Sequence, residues 1–210
     1  MQIQQLLLLC GVIAGPFFII VFLIEGALRK GYQPMRQPVS ALATGSRGWI
    51  QRTNFLITGA LMFACAFGLR SALVAYGGSF WFPVLIGIFA LGLIGAGFFT
   101  TDVTGLPKEK GVVVKRTKSG IFHDLSSLPV FLALFIAFFV FAHLAIGSGQ
   151  WGWALYSILS GVAFGPGFVL AGMGFSGSPK FARSGGLWQR LTIVIGWIWI
   201  AFVAMYLLGA

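Results

Sequence analysis

Six apolar runs of roughly bilayer length dominate this sequence and restrict the folds it can adopt. A helix that crosses a bilayer needs roughly 20 mostly apolar residues, because its backbone polar groups must bond within the segment. The segments that meet this requirement are Leu6–Leu28, Phe55–Tyr76, Phe80–Thr100, Ile121–Ile146, Gly152–Phe175 and Leu187–Leu208. The pattern predicts an all-α polytopic membrane protein with six transmembrane helices, organised as a single domain over residues 1–210.

The composition agrees with a bilayer protein and argues against a soluble one. The chain is 58% hydrophobic and 9% charged, whereas soluble domains carry about 25% charged residues. Its net charge of +10 lies between apolar segments, where lipid headgroups explain it better than nucleic acid does. Cys10 and Cys65 lie inside apolar runs and form no CxxC pair. We therefore expect membrane lipids as partners, and neither nucleic acid, metal nor cofactor.

The basic residues predict the orientation of the spans. All but Arg70 of the fourteen Lys and Arg residues fall in alternate connections or at the span ends beside them. They are Arg29, Lys30, Arg36, Arg47, Arg52, Lys108, Lys110, Lys115, Arg116, Lys118, Lys180, Arg183 and Arg190. The positive-inside rule places these connections in the cytoplasm and both termini outside. We expect a multi-pass protein of the prokaryotic cytoplasmic (inner) membrane, with the first apolar run retained as a span rather than removed as a signal peptide.

Small residues in the third span predict a close contact between helices. Gly95 and Ala96 follow Gly92 by three and four residues. That spacing places all three on one helix face. Helix backbones approach closely where such faces meet in a membrane.

All four acidic side chains lie on the predicted cytoplasmic side. The acids there are Glu25, Asp102, Glu109 and Asp124, and His123 stands beside the last of them. Asn54 opens the second span, and Gln189 and Arg190 open the sixth. Ionisable groups at membrane depth usually face the bundle interior, because exposure to lipid is costly. The sequence therefore predicts a polar cluster built from several helices.

This cluster has two interpretations. In the structural one, the negative charge of Asp124 stabilises the N-terminus of the fourth helix. Asp102 or Asp124 pairs with Arg190 or a loop lysine, and His123 forms a hydrogen bond at the membrane interface. In the catalytic one, Asp102, His123 and Asp124 form an acid–base site in which a carboxylate orients the imidazole. A metal site is disfavoured, because adjacent residues on a helix point about 100° apart. No GxSxG, HExxH or P-loop motif accompanies the cluster.

Several short motifs resemble one family. They are "GYQPMRQPVSALA" after the first span, "GWIQRTNFLITGALM" at the second, "GFFTTD" after the third and "FHDLSS" at the fourth. The chain is similar to the small six-span prokaryotic membrane proteins grouped as domain of unknown function 998. The resemblance implies six helices and leaves the activity undefined. The resemblance implies that the site residues are Tyr32, Pro34, Ser40, Asn54, Asp102 and His123.

Three functions are compatible with this pattern. The first is a non-enzymatic helical bundle that binds lipid, partner subunits or further copies of itself through glycine-lined faces and a basic surface. The second is a lipid-modifying enzyme that works at the cytoplasmic headgroup level through the Asp/His site. The third is a small transporter or channel. A cavity that converges on the polar cluster would favour the enzyme, and a dry, ion-paired cluster would favour the structural interpretation.

Overall fold

The computed structural model describes residues 2–102 and 116–209, and only the backbone of residues 75 and 76. Lys108, Glu109, Lys110 and Lys115 lie outside the described residues. Within these ranges the chain forms helices and no strand. The α-helices are α1 Ile3–Leu28, α2 Gly48–Ala72, α3 Trp81–Phe98, α4 Lys118–Gly147, α5 Trp151–Phe175 and α6 Gly185–Gly209, and two 3₁₀ helices span Val39–Ala43 and Leu73–Tyr76.

Each predicted span corresponds to one α-helix. All six helices are long and apolar enough to cross a membrane, which confirms the all-α, six-span architecture of a multi-pass membrane protein. The main difference is at α2, which begins at Gly48 rather than at the predicted Phe55. Its first turns carry Gln51 and Asn54, which are buried inside the bundle. Because these residues are polar, a prediction based on hydropathy does not include these turns in the span.

The helices form a closed ring. Each α-helix packs against the next one in chain order, and α6 returns to pack against α1. Three connections therefore lie at one end of the ring. They are the connection from α1 to α2, the connection from α5 to α6 and the described ends of the connection from α3 to α4. They carry most of the described Lys and Arg residues, and we call this end the basic end.

The α3–α4 contact confirms the predicted glycine face. A Cβ atom added at Gly92 would lie 2.6 Å from the backbone oxygen of Ser126. One added at Gly95 would overlap the hydroxyl of the same serine. Glycine is therefore needed at both positions for the backbones to approach this closely.

Aromatic side chains fill the ring in the half away from the basic end. The ring centroid of Trp199 lies 4.4 Å from that of Phe138 and 6.0 Å from that of Phe82. Phe141 packs against the same indole, also at 6.0 Å. The indole Nε1 of Trp199 donates a hydrogen bond of 3.0 Å to the Ser157 hydroxyl. This packing makes Trp199 a fully buried core residue.

Candidate functional site

A cavity of about 250 Å³ lies at the centre of the ring, in the half nearer the basic end. Its walls are stripes of residues spaced three or four apart, which share one helix face. The apolar part of the wall comprises Phe18, Pro38, Val39, Phe55, Phe89, Leu93, Ala96, Val130, Phe131, Leu134, Phe164, Phe175, Ile193 and Trp197. Most of the lining is therefore hydrocarbon and aromatic carbon.

Trp197 closes the deep end of this cavity. Its ring stacks on that of Phe18, with centroids 5.1 Å apart. The Phe89 ring meets it edge to face at 5.0 Å. The aromatic core around Trp199 continues beyond it. The cavity is therefore blind on the side away from the basic end.

Polar side chains line the cavity toward the basic end, and we call this part the mouth. They are Ser40, Thr101, His123, Asp124, Ser127 and Gln189. Three of these, His123, Asp124 and Gln189, belong to the polar cluster predicted from the sequence, and Ser40 is one of the positions implied by the family resemblance. Among the described lining residues none is lysine or arginine, although the surrounding surface is basic. In the described part of the chain, the mouth thus carries six polar side chains, of which one is a carboxylate and none is Lys or Arg.

His123 is the most enclosed ionisable group of the mouth. Its side chain is 2% exposed, and its Nδ1 lies 2.8 Å from the backbone oxygen of Phe99. A carbonyl oxygen only accepts, so Nδ1 must carry the hydrogen. In the neutral imidazole, Nε2 is then the acceptor. Within the described chain, Nε2 has no protein hydrogen-bond partner.

Asp102 and Asp124 are joined through Arg116. Arg116 Nη2 lies 2.5 Å from Asp124 Oδ2, and its Nε lies 3.6 Å from Asp102 Oδ2. Asp102 also accepts hydrogen bonds from the hydroxyl and the backbone N–H of Thr117, at 2.7 Å and 3.1 Å. The Thr117 hydroxyl, with smaller contributions from its N–H and from Arg116, holds the pKa of Asp102 below its ordinary value. These contacts tie the end of α3 to the start of α4.

The predicted pairing of a carboxylate with a loop cation is confirmed, and among the described residues this cation is Arg116 rather than Arg190. The sequence pointed to Arg190 or a loop lysine, whereas Arg116 makes both contacts. Arg116 immediately precedes Thr117, the N-cap of α4. This position holds its guanidinium between the two acids, while Arg190 is held elsewhere.

No hydrogen bond joins Asp102 or Asp124 to the imidazole of His123 in the described part of the chain. The backbone oxygen of Phe99 orients the imidazole instead. Among the described residues, no group of three or more His, Cys, Asp and Glu side chains is arranged to hold a metal ion. The catalytic role of Asp102, His123 and Asp124 stays a prediction.

Glu25, a member of the predicted polar cluster, forms a separate buried ion cluster whose partners were not predicted from the sequence. Its side chain is 2% exposed and lies 2.7 Å from Arg29 and 2.5 Å from Arg47. Arg29 also donates to the backbone oxygens of Leu42 and Thr44, at 2.9 Å and 2.8 Å. The cluster joins the end of α1, the Val39–Ala43 helix and the start of α2. The spacing of Glu25 and Arg29 by four residues was an available signal.

Arg190 binds the connection between α1 and α2. Its guanidinium donates to the backbone oxygens of Pro34 and Gln37, the second at 3.1 Å, and to the Tyr32 hydroxyl. A further bond of 2.9 Å reaches Gly186 in its own helix. Burial raises the pKa of the Tyr32 hydroxyl, although the neighbouring charge of Arg190 opposes that rise. Arg190 thus serves as a clamp between this connection and α6.

Gln189 continues this clamp toward the cavity. Its Oε1 accepts a hydrogen bond of 2.8 Å from the backbone N–H of Val39. The adjacent Ser40 is thereby held against the mouth. The side-chain nitrogen of Gln189 has no protein partner in the described ranges.

Asn54 lies beside the cavity in a buried amide pair. Its Nδ2 donates to the backbone oxygen of Phe18 at 3.2 Å and to Gln51 Oε1 at 3.3 Å. These two bonds fix the orientation of both amides. Gln51 Nε2 and Asn54 Oδ1 remain without a partner among the described residues. The pair fastens α1 to α2 at the level of Phe18, which lines the cavity.

Comparison with known proteins identifies one family. A family model described as protein of unknown function (DUF998) matches residues 12–206. The match includes every residue of the cavity, the mouth and the ion clusters, and it confirms the resemblance predicted from the sequence. No curated protein and no solved structure matches.

Proposed function

We propose that this chain, which belongs to the DUF998 family of proteins of unknown function, binds the apolar chain of a membrane amphiphile in its central cavity. The observation that carries the proposal is the division of the lining into apolar walls and a polar mouth. An amphiphile has the same division. Its hydrocarbon chain would occupy the space between Trp197 and the mouth, and its headgroup would lie among the polar side chains of the mouth.

The dimensions of the cavity support this occupant. Its lining on α4 extends from His123 to Leu134, which is about 16 Å along a helix. Its volume is about 250 Å³. An apolar cavity of about 150 Å³ already stays dry and takes up an apolar molecule. A narrow hydrocarbon chain therefore suits the site better than water does.

The closed deep end favours binding over transport. Trp197 and the aromatic core around Trp199 fill the ring beyond the cavity. A transport path would have to pass through these tightly packed rings. The cavity is thus better suited to holding a ligand that enters and leaves at the basic end or from the surrounding lipid.

The proposed membrane and orientation follow from charge. The positive-inside rule favours a prokaryotic cytoplasmic membrane with the basic end in the cytoplasm and both termini outside. The mouth of the cavity would then lie at the level of the inner headgroups. The ligand would be drawn from the inner leaflet.

Native mass spectrometry of the protein released from nanodiscs tests the proposal. The wild type should retain one amphiphile per chain. Ala96→Phe should lose it, because Ala96 lines the cavity and the added ring fills it. Ala60→Phe is the matched control, since Ala60 is exposed on α2. Equal retention by both variants, with both folded, would contradict the proposal.

A second candidate function is modification of the bound headgroup. The observation that favours it is the unpartnered Nε2 of His123 at the mouth, which suits a general base. Chemical change of a bound amphiphile in the wild type, abolished in His123→Asn, would support this enzyme. Binding of partner subunits or of a second copy also stays a prediction, tested by the mass of the complex in the same spectra.

A further inference from the structure

We infer that the headgroup recognised at the mouth is neutral and bears a hydroxyl group, which donates a hydrogen bond to His123 Nε2. This inference rests on the proposed function, because it assumes that an amphiphile occupies the cavity. Long-chain alcohols and acylglycerols belong to this chemical class. Fatty acids, alkylamines and phosphate-headed lipids do not.

The tautomer of His123 supplies the first argument. The backbone oxygen of Phe99 accepts a hydrogen bond from Nδ1–H, so the neutral imidazole offers only an acceptor, Nε2, to the cavity. A hydroxyl group donates to such an acceptor. A carboxylate or a fully ionised phosphate has no hydrogen to donate, and its charge would lie against the lone pair of Nε2.

The neighbouring side chains supply the second argument. The hydroxyls of Ser40 and Ser127 line the cavity and have no protein partner in the ranges that the structure describes. The free side-chain nitrogen of Gln189 is a third unengaged group. Hydroxyl oxygens both donate and accept, and the amide nitrogen donates. Together these groups match a headgroup that itself donates and accepts, as one with hydroxyl groups does.

Charge supplies the third argument. Recognition of phosphate or carboxylate in proteins usually relies on Arg or Lys, and neither is present among the described lining residues. The nearby Arg116 is paired with Asp102 and Asp124. Arg190 is engaged with backbone oxygens and Tyr32. A cationic headgroup is also disfavoured, since the Asp124 carboxylate is already neutralised by Arg116.

A series of probes with one chain length tests this inference. Nanodiscs are doped with a long-chain alcohol, the matched carboxylate, the matched ammonium or the matched phosphate monoester. Native mass spectrometry near neutral pH then measures the bound fraction of each. We expect the alcohol to bind at least about tenfold more tightly than any charged probe, because an unpaired charge in the mouth is costly.

Two pairs of variants test the assigned contacts. His123→Asn keeps a donor for Phe99 and removes the acceptor at the Nε2 position, so alcohol binding should weaken by about 3- to 10-fold, as for the loss of one neutral hydrogen bond. His123→Gln offers an oxygen near the Nε2 position and should retain more binding. Ser127→Ala should weaken binding by about threefold. Ser126→Ala is its control, because the Ser126 hydroxyl bonds to Phe122 in its own helix.

The outcomes separate failure of this inference from failure of the proposed function. If none of the four probes binds, both are wrong. If a charged probe binds as tightly as the alcohol, the cavity binds amphiphiles but the assigned headgroup class is wrong. Equal effects of Ser126→Ala and Ser127→Ala, or unchanged alcohol binding by folded His123→Asn, would also overturn the headgroup assignment.

Discussion

His123 Nδ1 and the backbone oxygen of Phe99 lie 2.8 Å apart, and this contact joins α4 to the chain just after α3. It fixes the imidazole at the mouth of an apolar cavity with Nε2 left as an acceptor. A buried polar side chain is usually satisfied by the protein. Here one nitrogen is satisfied and the other is available to a ligand, which makes His123 the residue on which the functional account depends.

The contact between α3 and α4 gives the first prediction. Gly92→Ala should reduce the free energy of unfolding by roughly 1–3 kcal/mol, the usual cost of overpacking, because its Cβ would lie 2.6 Å from a backbone oxygen. Gly87→Ala in the same helix is the control, since nothing lies within 4 Å of its Cβ position. Thermal melts in detergent compare the two. A control variant as unstable as Gly92→Ala would refute the packing explanation.

Glu25 gives the second prediction. Glu25→Gln leaves Arg29 and Arg47 without their buried counter-charge. Breaking a fully buried pair in this way costs roughly 3–5 kcal/mol, and the loss here should be smaller because the Arg47 side chain is 49% exposed to solvent. The double variant Glu25→Gln with Arg47→Gln should recover part of the loss, because one unpaired cation is removed as well. Detergent melts measure both. A Glu25→Gln variant with wild-type stability would show that the cluster contributes little.

The third prediction concerns pH. The Asp102 pKa is lower in the folded state than its ordinary value, so its contribution to stability is full above the unfolded pKa. That contribution is lost as the pH falls through the folded pKa. The melting temperature should therefore decrease as the pH is lowered below about 4. Asp102→Asn should show a smaller fall over the same range. An identical pH profile for the two proteins would exclude Asp102 as a source of this dependence.

The fourth prediction concerns orientation, for which the charge distribution is the basis. In a background without Cys10 and Cys65, Gln150→Cys should react with an impermeant maleimide on intact cells. Ser46→Cys should react only after the membrane is permeabilised. Both positions are exposed, so access to reagent does not depend on unfolding. Labelling of Ser46→Cys alone on intact cells would reverse the proposed orientation.

The helices were predictable because long apolar runs have few alternatives in a bilayer. The start of α2 was not predictable, since Gln51 and Asn54 are polar residues that are nevertheless buried between helices. The hydrogen-bond partners of Arg190 were missed for a different reason. It bonds to backbone oxygens, which every residue carries, so no residue type in the sequence marks its partners.

The candidate site was predictable only in part. Ionisable residues near span ends indicated His123 and Asp124, and both line the mouth. The cavity itself left no separate signal in the sequence. From the sequence, Leu93 and Ile193 could equally be ordinary core residues. Only the packing of all six helices decides whether such side chains contact one another or leave a cavity.

Quenching of Trp197 fluorescence by a long-chain alcohol with bromine on its chain tests whether an amphiphile occupies the cavity. Trp197 closes the deep end of the cavity, so bromine at the end of the chain should quench more strongly than bromine next to the headgroup. Trp197→Phe should remove most of the difference between the two probes. Equal quenching by both probes, unchanged in Trp197→Phe, would show that the chain stays in the surrounding lipid and would contradict the account.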